Sequence, residues 1–200
     1  ENSEVGGTTN PYGTTKLFIE RIIMDYCKID GSFNAAILRY FNPVGAHPTG
    51  LIGEDPNGIP NNLTPFITQV MVNKLPILSV FGDNYDTKDG TCVRDYIHVC
   101  DLAYGHVLAL EKLLTNSGLV IYNLGTGNGL TVFEVIKAFE RVSNVEIPYQ
   151  VVDRRDGDVP RLYAKVDKAF EELGFKARYT IDDMARDSWN WQKKNPNGYE

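Results

Sequence analysis

Apolar positions recur along this chain in two periods, helical and extended, and segments of the two kinds alternate. Leu17, Phe18, Ile19, Ile22 and Ile23 keep helical spacing. Asn10 stands before them as a cap, and Pro11 suits a first helical position, where its missing amide hydrogen costs nothing. Ala35–Leu38 is a short continuous apolar run, as expected of a strand buried on both faces of a parallel sheet. A long loop rich in Gly, Pro and Asn is expected over 42–62, and loops of that length usually bind something. Residues 63–73 read as a helix with Phe66, Ile67, Val70 and Met71 as its stripe, and 77–81 as a strand, with Pro76 suiting its start or an edge position. In 93–98 the period is two: Val93, Asp95 and Ile97 face one way, Arg94, Tyr96 and His98 the other.

A helix is predicted over 99–114, a strand over 119–124, and a helix from the capping box Thr131–Glu134 to about residue 142. Another strand covers 149–152. Asp167 is expected to cap a short helix that Gly174 ends, and Thr180–Asp183 opens the last helix, which carries Trp189 and Trp191. The alternation makes the fold class α/β. Gly125-Thr-Gly127-Asn-Gly129 lies between a strand and a helix and tempts as a phosphate loop. Its spacing fails the dinucleotide-binding pattern, because Leu130 stands where the last glycine belongs, so it reads as a turn that uses glycine freedom.

Composition narrows the class. Two hundred residues with 42% hydrophobic content can build one sizeable core, or a domain and part of another. The net charge of −6 and the absence of a long Lys/Arg block argue against nucleic acid and anionic membrane as partners. Arg154, Arg155 and Arg161 nevertheless form a local basic group suited to an anionic ligand. Cys27, Cys92 and Cys100 lack metal-ligand spacing and indicate no disulfide framework. No apolar run is long enough to span a bilayer. Glu1-Asn2-Ser3-Glu4 lacks the features of a secretion signal, so the sequon at Asn62-Leu63-Thr64 reads as chance. A soluble, cytoplasmic protein is expected.

Tyr12 and Lys16 carry the first candidate chemistry. Four positions apart on one helix, their side chains share a face, and a cation beside a phenol stabilises the phenolate as a base. Taken alone, the pair reads first as ordinary helix surface.

The chain's motifs, taken in order, resemble a known family. Asn10-Pro-Tyr12-Gly-Thr-Thr-Lys16, Arg39-Tyr-Phe-Asn42-Pro, Gly53 to Leu63, Phe81-Gly, Gly90-Thr-Cys-Val-Arg94-Asp-Tyr-Ile-His98, Tyr122-Asn-Leu-Gly-Thr-Gly, Arg154-Arg155-Asp-Gly-Asp158 and Trp191-Gln…Asn195-Pro196 follow the pattern of the UDP-glucose 4-epimerase family, extended short-chain dehydrogenases/reductases. The resemblance runs almost from end to end. It implies an incomplete Rossmann-type parallel sheet, its amino-terminal part missing, plus a smaller mixed α/β substrate-binding domain. Residues 1–40 would be the remainder of the NAD-binding domain, with elements of about 77–125 partly returning to it, and 41–200 mainly the UDP-sugar-binding domain. The Gly-rich NAD loop and the Ser or Thr that partners the catalytic Tyr would lie upstream, leaving this piece inactive by itself.

The same resemblance implies the site. Tyr12 is the base that takes the proton of the sugar 4-hydroxyl, Lys16 tunes it and holds the nicotinamide ribose, and Tyr40 contacts NAD. The substrate side comprises Tyr40, Phe41 and Asn42; Asn61, Asn62 and Leu63 at a helix start; Ser79, Val80 and Phe81 near the uracil; Arg94 and Arg155 on the diphosphate; and Asp156, Gly157 and Asp158, with Asp158 accepting from ribose hydroxyls. Arg94 paired internally with Asp95 or Asp101, and Arg154-Arg155 as a solvated turn, are the plainer alternatives. His98 and His106 read as structural. Leu162 matches the position whose size gates N-acetylated sugars, and leucine leaves acceptance of UDP-GlcNAc or UDP-GalNAc open. The implied partners are UDP-galactose and UDP-glucose, and the implied assembly is a homodimer through the Tyr-Lys helix. A uronate epimerase, a UDP-sugar decarboxylase, a 4,6-dehydratase, or a piece that only binds UDP-sugar remain as alternatives.

Overall fold

A computed structural model describes residues 1, 7–8 and 10–199. Asn2, Ser3 and Glu4, in the segment inspected for a signal, lie outside the described residues. The chain opens on α1 (Pro11–Ile29), where the Asn10 side chain accepts from the Gly13 amide as the cap spacing predicts. β1 (Ala35–Tyr40), β2 (Asn42–Val44) and α2 (Leu63–Met71) follow. Then come β3 (Leu78–Phe81), β4 (Val93–His98), α3 (Val99–Leu113) and β5 (Leu119–Leu124). β6 (Gly129–Thr131), α4 (Val132–Ser143), β7 (Tyr149–Val152), β8 (Arg161–Leu162), α5 (Asp167–Leu173) and α6 (Ile181–Lys194) complete it.

Three sheets organise these elements. β1 and β5 pair in parallel from Ala35–Leu119 to Tyr40–Leu124. β3 and β7 pair in parallel, leaving β3 an edge strand as Pro76 suggests. β4 changes partners along its length: Tyr96–His98 run beside β2, while Val93–Asp95 meet antiparallel β6 and Val93–Arg94 meet parallel β8. One core, around Ile67, Phe139 and Met184, joins α2, α4 and α6 to β3 and β4; the other, around Ile97, Tyr122 and Phe175, packs β4 and β5 against α3 and α5. Helix α1 contributes to neither core. None of its residues is buried, and its tie to β1 includes the two-pronged pair of Arg39 with Glu20, at 2.9 and 2.7 Å.

The pattern reading misses three details. β2 begins inside the segment expected to be loop, and β6 and β8 are absent from the prediction, because two- and three-residue ladders carry no readable period. Asp167, expected as the cap of α5, is instead its first helical residue; Val166 takes the cap position and offers no side-chain acceptor. The predicted capping box Thr131–Glu134 forms, and Thr180, expected only to open the last helix, makes a second box with Asp183. Two bonds from Thr180 to the Asp183 carboxylate, with Arg186 beside it, hold that carboxyl at about 2.

Candidate functional site

β2, the start of α2, β3, β4 and the turn after β7 close around a cavity of about 200 Å³. Asn42 enters it from β2, Asn61, Asn62 and Leu63 from the helix start, and Ser79, Val80 and Phe81 from β3. Arg94 comes from β4, and Arg155 and Asp158 from the turn. Arg94 donates to Asp158 at 3.2 Å and to the carbonyls of Val93 and Val159 at 2.9 and 2.7 Å, so neither Asp95 nor Asp101 is its partner. Arg155 lies over the Phe81 ring, 3.7 Å from its centroid, and donates to the Asn61 carbonyl at 3.4 Å. Arg154 covers Tyr85 and bonds Asn84, so the Arg-Arg turn is packed on aromatic rings rather than simply solvated. Two guanidinium groups therefore stand beside a helix N-terminus on one wall, an arrangement whose charge and dipole suit an anion.

Asn42 also lines a second, roomier cavity of about 1210 Å³, with Tyr40, Phe41 and Leu162. β8 sets Leu162 in register with Arg94, so the walls of the two cavities are ladder neighbours. The Tyr40 hydroxyl is 2.7 Å from His106 Nε2. Because His106 Nδ1 donates to the Leu102 carbonyl at 2.8 Å, Nε2 is the acceptor and Tyr40 donates. Asp156 and Gly157 line neither cavity; they stand exposed in the turn between Arg155 and Asp158.

Tyr12 and Lys16 meet as their spacing predicts, with Lys16 Nζ 5.1 Å from the Tyr12 ring centroid. Tyr12 is 71% exposed, and the pair lines neither cavity. The glycine loop Gly125–Gly129 holds a carboxylate of the chain itself. Asp95, fully buried, accepts from the Thr126 and Gly127 amides at 2.9 Å each, the Thr126 hydroxyl at 2.6 Å and the Ala164 amide at 3.1 Å. Amides so engaged have no place for a phosphate.

Sequence reasoning overlooked several wall residues. Phe66, Leu78, Cys92, Tyr96 and Val132 complete the smaller cavity, and Tyr163, Lys165 and Lys168 belong to the larger. Burial pushes the Tyr96 phenol up, well beyond its ordinary range. The apolar stripe of α2 already contains Phe66, but nothing local tells which stripe residue reaches a cavity. His98, read as structural, caps α3 by accepting from the Cys100 amide at 3.0 Å and is fully buried.

The comparisons agree with this architecture. A family model described as GDP-mannose 4,6 dehydratase matches residues 3–188. The chain is 57% identical over 199 residues to a UDP-glucose 4-epimerase of Pasteurella multocida, covering 100% of this chain and 59% of that relative. It is 58% identical over 194 residues to a UDP-glucose 4-epimerase of Bacillus subtilis, covering 97% of this chain and 57% of that protein. Among solved structures, UDP-glucose 4-epimerase from Bifidobacterium longum in complex with NAD+ and UDP superposes with a TM-score of 0.95 at 56% identity, over 100% of this chain and 59% of that one. The chain thus spans somewhat over half the length of the relatives it matches. It belongs to the family described as GDP-mannose 4,6 dehydratase, and throughout its length it resembles the UDP-glucose 4-epimerases.

Proposed function

We propose that the protein carrying this chain interconverts UDP-galactose and UDP-glucose by inverting C4 of the sugar, with NAD as a tightly held cofactor. One observation carries the reading: a small cavity lined by two arginines and a roomy one meet at Asn42. An enzyme that inverts C4 must grip the nucleotide while the hexose turns over, and the two volumes suit that division. Arg94 and Arg155 hold the diphosphate, Phe81 walls the uracil, Asp158 accepts from ribose hydroxyls, and Asn42 stands between nucleotide and sugar.

NAD would be held by Tyr12, Lys16 and Tyr40. The donor set fits: Tyr40 ends a parallel strand, where α/β sheets bind their ligands, and Lys16 forms no ion pair among the described residues. Bound there, NAD would supply the hydride chemistry, oxidation at C4 and re-reduction on the other face, that inversion requires. Tyr12, as base, takes the 4-hydroxyl proton and later gives it back, with Lys16 beside it on the same helix face. The reading includes a cytoplasmic homodimer joined through α1, whose Phe18, Ile19 and Ile22 stand exposed.

The test supplies UDP-galactose to the complete protein and follows UDP-glucose, with Tyr12→Phe alongside. Tyr12→Phe should lower the rate at least about 100-fold while leaving UDP affinity unchanged. No interconversion by the complete protein, or an undiminished rate in the variant, overturns the reading. The family model's description favours a 4,6-dehydratase as the second reading, which loss of water from UDP-glucose in the same assay would select.

A further inference from the structure

The end of the chain is fastened to the loop that leads into α2. The Tyr199 hydroxyl accepts from the Gly53 amide at 2.9 Å and donates to the Gly53 carbonyl at 3.0 Å, while the Tyr199 amide donates to Asp55 at 2.9 Å. Both glycines of this clasp are sterically required. A Cβ on Gly53 would come within 2.2 Å of the Trp191 indole, and one on Gly198, at φ +95°, within 2.2 Å of the Asp55 carboxylate. Upstream, Asn190 and Lys194 of α6 hold the same loop through the carbonyls of Pro48 and Thr49, at 3.0 and 2.7 Å.

Between the two clasped residues, Glu54 accepts from the Asn62 side chain at 3.3 Å. Asn62 is the cap residue of α2 and lines the smaller cavity. An asparagine there usually turns its side chain onto its own helix, yet Asn62 makes no such bond. Drawn towards Glu54 instead, it leaves the first amides of α2 for another acceptor.

We infer that Tyr199 and Glu54 are positioning residues for nucleotide-sugar binding, fixing Asn62 at the anion cavity from the far end of the chain. The inference rests on the proposed function. It is tested in the complete protein by measuring UDP affinity by calorimetry, KM and kcat with UDP-galactose, and melting temperature. The variants are Tyr199→Phe, which keeps the aromatic ring that lies 5.6 Å from Trp191, Glu54→Ala and Glu54→Gln. Tyr199→Phe and Glu54→Ala should weaken UDP about five-fold and raise KM by the same factor, with kcat within about two-fold. Glu54→Gln keeps an acceptor and should restore both. Unchanged affinity and KM in the first two, beside a wild type that binds UDP, overturns the inference alone. A loss that tracks melting temperature, with no rescue by glutamine, also overturns it. A wild type that binds no UDP overturns the functional reading, and the inference with it.

Discussion

Arg94 and Asp158, 64 positions apart, form an ion pair at 3.2 Å on the wall of the anion cavity. Arg94 is thereby held in place, with two carbonyls taking its other terminal nitrogen. A double-mutant cycle of Arg94→Met and Asp158→Asn, read by thermal unfolding, should give a coupling of about 0.5–1 kcal/mol, since Asp158 is partly exposed. On the proposed reading each single variant should also weaken UDP, and Arg94→Met the more, because it would remove a diphosphate donor. Equal UDP affinity in wild type and Arg94→Met would refute that role.

Asp95 is the knot that closes the glycine loop. Asp95→Ala leaves the Thr126, Gly127 and Ala164 amides without their acceptor, and should cost about 3 kcal/mol or more. In a chain of this size that lowers the melting temperature by about 6–12 °C. A shift within about 2 °C would mean that the loop finds other partners.

His98 makes stability depend on pH. Burial lowers its pKa, opposed by the bond of Nε2 to Asp187 at 3.3 Å and by the charges of Asp101 and Asp183; Tyr179 stacks on the ring. The sign follows from proton counting. Below the ordinary histidine value of about 6.5 the unfolded chain binds a proton that the folded one refuses, so stability is present above that pH and falls as the pH drops. Denaturant unfolding at pH 7.5 and 5.5 should show the loss, and His98→Gln should flatten it. An equally steep loss in the variant would assign it to other groups.

Leu162 is half exposed on the wall of the larger cavity. As a gate it predicts that Leu162→Tyr lowers turnover of UDP-GlcNAc relative to UDP-galactose at least about ten-fold, and that Leu162→Cys raises it. Identical ratios in all three proteins would remove the gate.

The sequence by itself determined what is local. The cap at Asn10, the capping box at Thr131–Glu134 and the meeting of Tyr12 with Lys16 depend on neighbours within one helical turn, so spacing suffices to read them. The ordered motifs likewise named most of the cavity's lining, though not that it is one cavity. Only the tertiary structure decided that Arg94 pairs with Asp158, that Tyr40 donates to His106 from 66 positions away, and that a glycine loop resembling a phosphate cradle wraps Asp95. These contacts arise where distant strands close on one another, and no period along the chain encodes which partner waits there. Tyr199 reaches Gly53 across 146 positions for the same reason: the fold brings the segment after α6 onto the loop before α2, and hydrogen-bond geometry then selects the residues that can meet.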